Sequence, residues 1–109
     1  MPEWQSSGLS SDIIDKLCSV FERFSQINSV ILYGSRAKGT FKMGSDIDLT
    51  VVLNPSIKPT LNLRHQISMA LDDLNLIYFI DLSLFEEIEN EDLIEHIDRV
   101  GSTIYEKNN

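Results

Sequence analysis

The sequence predicts an α/β (α+β) domain in which helices pack against a small mixed β-sheet. Three observations carry that prediction. Segments with helical apolar spacing alternate along the chain with short β-rich runs. The stretch joining the first two strands, Ser35 to Ser45, is short for a full crossover helix, which points to a mixed sheet. The chain has 109 residues, 42% hydrophobic and 24% charged, a globular composition with room for one modest core. Residues 1–109 are accordingly read as a single domain.

Residues 1–9 read as a frayed start, with Trp4 placed to dock the terminus or meet a partner. Ser10 and Ser11 offer helix N-caps and Asp12 suits the helix dipole. Ile13, Leu17, Val20, Phe21 and Phe24 then predict an amphipathic helix over about 12–26. Val30 to Tyr33 is a short apolar run, hence a buried strand, which Gly34 ends. Asp46 to Leu53 is a second strand. Asn54, Pro55 and Pro59 mark a loop, and Leu63, Ile67, Ala70, Leu71 and Leu74 suggest a helix over about 60–74. Leu76 to Leu82 reads as a third strand. Ser83 with Glu86 matches a capping box, so a helix is expected to start there. Asn90 before Glu91 and Asp92 is a second cap, and Leu93, Ile94, Ile97 and Val100 give the stripe of a helix that Gly101 stops. Thr103 to Tyr105 is a last short strand.

The charge balance sets limits on partners. Nine Lys and Arg against 17 Asp and Glu give a net charge of −8, which argues against a general nucleic-acid binder and favours a basic protein partner. Cys18 is the single cysteine, so no internal disulfide forms, and it is expected to be a small buried residue. There is no signal-peptide pattern and no apolar run long enough for a membrane span, so a cytoplasmic location is expected.

Candidate chemistry gathers around the second strand. Asp46 and Asp48 are two apart, so both carboxylates share one face while Ile47 and Leu49 face the core. A divalent cation between them would relieve their repulsion. Asp81 sits late in the third strand, inside the apolar run Ile77 to Ile80, where a carboxylate is costly unless paired or metal-bound. If that strand lies beside the second, three carboxylates converge, enough to hold two Mg²⁺ for in-line phosphoryl chemistry. Taken one at a time, the same residues fit a plainer description: Asp46 caps a turn, Asp48 is solvated and Asp81 ends a strand.

Upstream, Gly34 and Ser35 follow a buried strand. A glycine lets backbone N–H groups approach a phosphate, and a helix starting near Ser35 would aim its positive end there. No acid occurs between Glu22 and Asp46, whereas Arg23, Arg36, Lys38 and Lys42 all do. An ordinary strand–turn–strand with solvated Lys and Arg would show the same residues. His65 and His96 have no metal-ligand company and are expected at the surface, and Met43 is expected to fill space, with lining the nucleotide edge as the alternative.

Gly34-Ser35-Arg36-Ala37-Lys38-Gly39, a five-residue spacer, then Ser45-Asp46-Ile47-Asp48-Leu49 resembles the signature of the minimal nucleotidyltransferases of the DNA polymerase β-like superfamily. Lys38 stands where arginine is common, which keeps the charge and loses the planar fork. The resemblance implies a nucleotidyltransferase-like fold and a role for each matching residue. Asp46 and Asp48 would bind Mg²⁺, and Asp81 would complete the metal shell and help activate the incoming hydroxyl. Gly34 and Ser35 would hold the triphosphate of ATP, with Arg36 and Ser45 beside them; Arg36 suits a phosphate contact or a structural ion pair equally.

Larger relatives carry an added acceptor domain, for which this length leaves no room. The chain is similar in that respect to the antitoxin half of HEPN/MNT toxin–antitoxin pairs. That resemblance implies transfer of AMP to a tyrosine of a helical HEPN toxin. Glu86, Glu87, Glu89, Glu91, Asp92, Glu95 and Asp98 put seven acids into thirteen residues, a surface that would meet a basic toxin or simply face solvent. Two other functions fit the same residues: a binding module that masks its partner without catalysis, and a nucleotidyltransferase acting on a small molecule such as an aminoglycoside.

Overall fold

A computed structural model describes residues 6–107. The elements run α1 (Ser11–Phe21), β1 (Ile27–Tyr33), α2 (Gly34–Lys38), β2 (Ile47–Leu53), α3 (Leu61–Asp72), β3 (Ile80–Leu84), a 3₁₀ turn (Phe85–Glu87), α4 (Glu91–Val100) and β4 (Ser102–Glu106). The four strands form one sheet in the order β3-β2-β1-β4. β1 runs antiparallel to both β2 and β4, and β2 runs parallel to β3. The mixed sheet expected from the short 35–45 connection is the one observed: α2 has five residues and turns the chain without crossing the sheet.

One face of the sheet makes the core. Val30, Leu32, Ile47, Leu49, Val51, Leu53, Leu82 and Leu84 alternate along the strands and bury against Leu17, Val20 and Phe21 of α1 and Leu63, Ile67 and Leu71 of α3. Each fully buried aliphatic side chain stabilises by about 1.5–3 kcal/mol. The opposite face carries Ile31, Tyr33, Asp48, Thr50, Asp81 and Ser83, and α4 covers only part of it. Functional groups therefore sit on a half-covered face whose reverse side is a rigid core.

Helix starts follow the sequence. The Ser10 hydroxyl accepts from the Ile13 amide, and the Asn90 carbonyl oxygen accepts from Asp92 and Leu93. Helix α1 ends at Phe21 rather than near 26: the Glu22 amide still bonds the Cys18 carbonyl, but the Arg23 and Phe24 amides turn to carbonyls three residues back; Phe24 still packs against the core. β1 begins at Ile27, earlier than Val30, since Ile27 and Ser29 already pair with Leu53 and Val52.

β3 occupies 80–84, not 76–82. β2 starts at Ile47, which pairs with Ile80 and gives its amide to the Phe79 carbonyl at 2.9 Å, so the ladder ends there, and Ile77 and Phe79 are 92% and 68% exposed. Asp81 is thus early in its strand. The expected capping box at Ser83 does not form: Ser83 lies in β3 and its hydroxyl donates to Thr50 Oγ1 at 2.9 Å. Its supposed partner Glu86 instead accepts from the Leu53 amide at the end of β2, at 3.1 Å. Gly101 does end α4, but with a φ of −62°. Glycine is needed there because a Cβ would run into the Ile97 carbonyl and the Ile31 side chain. Trp4 lies outside the described residues.

Candidate active site

Tyr33, Asp48 and Asp81 form a row across three strands. Tyr33 pairs with Asp48 between β1 and β2, and Asp48 pairs with Asp81 between β2 and β3. Directly opposed residues in neighbouring strands project to the same face, about 5 Å apart. Asp46, one residue before β2, is two positions from Asp48 and exposed. The three sequence-predicted carboxylates are thus brought to one edge of one face.

Their proximity shows in the ionisation of Asp48. Partial burial pushes its carboxyl above the ordinary 3.8, the charges of Asp81 and then Asp46 push it further, and His96 opposes them. Tyr33 is also held high, first by burial, with Asp81 and Asp48 adding and a hydrogen bond to Ser83 opposing. Two carboxylates that raise a third one's affinity for a proton would equally welcome a divalent cation.

Among the described residues, no three His, Cys, Asp or Glu side chains form a ready-made metal cage. The trio expected from the sequence is therefore not gathered into a finished cage; Mg²⁺ itself takes one or two carboxylates and completes its octahedron with waters and substrate phosphates. The donor set, hard carboxylate oxygens on one face, fits that mode.

Gly34 forms the wall opposite. Its φ is +76°, a conformation that favours glycine, and a Cβ would run into Asp48 Oδ2. The missing side chain is what allows the turn to lie against the carboxylate. Ser35 follows it, half-buried. Ser45 closes the next turn: its hydroxyl accepts from the Lys42 amide at 2.8 Å and its own amide donates to the Lys42 carbonyl.

Arg36 is buried and, among the described residues, has no ion pair. Its side chain is 3% exposed, Nε donates to the Ser45 carbonyl at 3.2 Å and a terminal N–H donates to the Ser7 carbonyl at 2.8 Å. The guanidinium lies 5.0 Å from the Phe41 ring centroid and 4.8 Å from that of Tyr78. It braces the loop between α2 and β2. Phe41 comes from the same loop, while Tyr78 comes from just before β3, a contact that no local pattern announces.

His96 was expected at the surface with His65. His65 is exposed, but His96 is half-buried, and its Nε2 accepts from the Gly34 amide at 3.2 Å. Its ring stands edge-on to Tyr33, centroids 6.3 Å apart. The contact spans 62 positions, and no local pattern announces it. Met43 is fully exposed and fills no core space; it borders a pocket of about 450 Å³ with Phe41, Ile77 and Tyr78. Cys18 is half-buried, its thiol donating to the Ile104 carbonyl at 3.2 Å; burial, then Asp15 and Glu22, push it to about 11, which makes it a poor nucleophile. Within the acidic stretch, Glu87 faces Arg64 at 3.9 Å and Glu95 pairs with Arg99 at 3.0 Å, while Glu89, Glu91, Asp92 and Asp98 are exposed. No helix of the described residues is long and apolar enough to cross a membrane.

Residues 15–109 match the family model described as polymerase beta, nucleotidyltransferase. No curated protein sequence matches the chain. Among solved structures, a toxin–antitoxin complex with AMP-PNP superposes with a TM-score of 0.67 at 21% identity, over 92% of this chain and 76% of the other. An MntA–HepT toxin–antitoxin structure gives 0.66 at 15% identity, over 90% and 74%. A complex of tri-AMPylated Shewanella oneidensis HEPN toxin with MNT antitoxin gives 0.66 at 15% identity, over 91% and 74%. At these identities the likeness is one of fold.

Proposed function

The chain belongs to the polymerase beta nucleotidyltransferase family, and from that premise we propose that it transfers AMP from ATP, with Mg²⁺, to a tyrosine hydroxyl of a HEPN-type toxin and so acts as its antitoxin. The observation that carries the reading is the strand register that sets Asp81 beside Asp48, with Asp46 two positions upstream and the side-chain-free Gly34 against Asp48. Asp46, Asp48 and Asp81 would hold the metal. Bound there, Mg²⁺ would offset charge on the α-phosphate and on the departing pyrophosphate.

Gly34 and Ser35 would position the triphosphate so that the α-phosphorus faces the acceptor. The acceptor oxygen then bonds to that phosphorus, the bond to the bridging oxygen breaks, and pyrophosphate leaves with the electron pair. Asp81, at the exposed end of the row, would help activate the incoming hydroxyl by taking its proton. Catalysis of this kind rests on alignment and preorganised charge. The fold shared with toxin–antitoxin complexes, one of them with an AMPylated toxin, supports the choice of acceptor. So do the exposed acids of α4, which suit a basic partner face.

The test is incubation with ATP labelled at the α-phosphate, Mg²⁺ and a HEPN-type toxin as acceptor. Label on a partner tyrosine, lost with Asp46→Asn/Asp48→Asn, is expected. Absence of label with both proteins folded overturns the transfer. Full neutralisation of the partner by the double variant would favour masking instead.

A further inference from the structure

The amide of Gly34 opens α2, and the residue before it, Tyr33, supplies no side-chain cap. The first amides of any helix lack partners within it. Here the acceptor comes from another element: His96, six residues into α4, presents Nε2 to the Gly34 N–H at 3.2 Å. Only a nitrogen with a free lone pair accepts, so the ring proton must sit on Nδ1. The edge-on contact with Tyr33 fixes the ring plane. Tyr33 and Gly34 are consecutive, so one imidazole grips both sides of the strand-to-turn junction.

We propose that His96 is the positioning residue of the Gly34–Ser35 turn, holding it where Gly34 lies against Asp48. The inference rests on the reading above that this turn carries the nucleotide's phosphates. It also assigns the donors: with the Gly34 N–H taken by His96, the Ser35 amide and hydroxyl remain for phosphate. Gly34 then serves by its shape, a positive φ and no Cβ against Asp48. Because the imidazole belongs to α4, the turn is fastened to the helix that carries the exposed acids.

Two substitutions separate the ring's packing from its acceptor. His96→Phe keeps an aromatic ring beside Tyr33 and removes the lone pair. His96→Gln loses the ring and restores an acceptor at similar reach. Titration calorimetry of ATP with Mg²⁺ is expected to show about 3- to 10-fold weaker binding in His96→Phe, the size of one lost neutral hydrogen bond, and recovery to within about twofold in His96→Gln. Wild-type affinity in His96→Phe, or equal weakening in both, overturns the proposal. A second measurement needs no variant and no nucleotide: imidazole ¹⁵N spectra of the wild-type protein at pH 8 are expected to show the Nδ1–H tautomer for His96, and the Nε2–H tautomer overturns it. Failure of wild-type protein to bind ATP would strike the proposed function and the turn's phosphate role with it, whereas a wrong tautomer with ATP binding intact would strike the His96 role alone.

Discussion

Asp48 is where function and stability oppose each other. A carboxyl held above its ordinary value binds more protons folded than unfolded, so its ionised form costs stability. The cost is absent below the ordinary 3.8, grows as pH rises through the folded value, and is fully present at neutral pH. Asp48→Asn is therefore expected to melt higher than wild type at pH 7, modestly because the group is half-exposed and screened, with the gain vanishing near pH 3. Thermal melts across that range check it; a lower melting point at pH 7 contradicts it. The aspartates themselves were legible in sequence because strand periodicity puts residues two apart on one face. Their partnership with Asp81 needed only the order of the strands. His96 was not legible: its bond to Gly34 depends on how α4 crosses β1, which no local pattern encodes.

At the scale of elements, α2 and the loop after it are too short to hold themselves. Arg36 ties them to the Ser7 and Ser45 carbonyls and to two aromatic rings. Arg36→Met keeps an apolar stem and removes both bonds, and is expected to cost about 1–3 kcal/mol, or roughly 5–15 °C in melting temperature. An unchanged melting point would show that the loop is held by other means. The same elements show where local signals mislead. Ser83 and Glu86 have capping-box spacing, yet the Ser83 hydroxyl goes to Thr50 and the Glu86 carboxylate to Leu53, because β2 offers both of them partners first. Ile77 and Phe79 have strand-like chemistry, but strands are made in pairs, and β2 ends its ladder with the Ile47 amide on the Phe79 carbonyl, leaving both side chains exposed.

For the whole molecule, the sheet divides labour between its faces. One face, with α1 and α3, holds nearly all the core; the other keeps Tyr33, Asp48 and Asp81 in a row that α4 covers only in part. Burying Ile47 and Leu49 on the first face fixes where Asp48 stands on the second, since a one-residue slip would exchange them. The central claim is that this row, with Asp46, grips a divalent cation together with ATP. Electron paramagnetic resonance of Mn²⁺, used in place of Mg²⁺, tests it most directly. The expected result is Mn²⁺ captured by the wild-type protein only when ATP is present, and released on substitution of Asp48→Asn or Asp81→Asn. Equal capture by a folded Asp46→Asn/Asp48→Asn/Asp81→Asn variant would contradict the account.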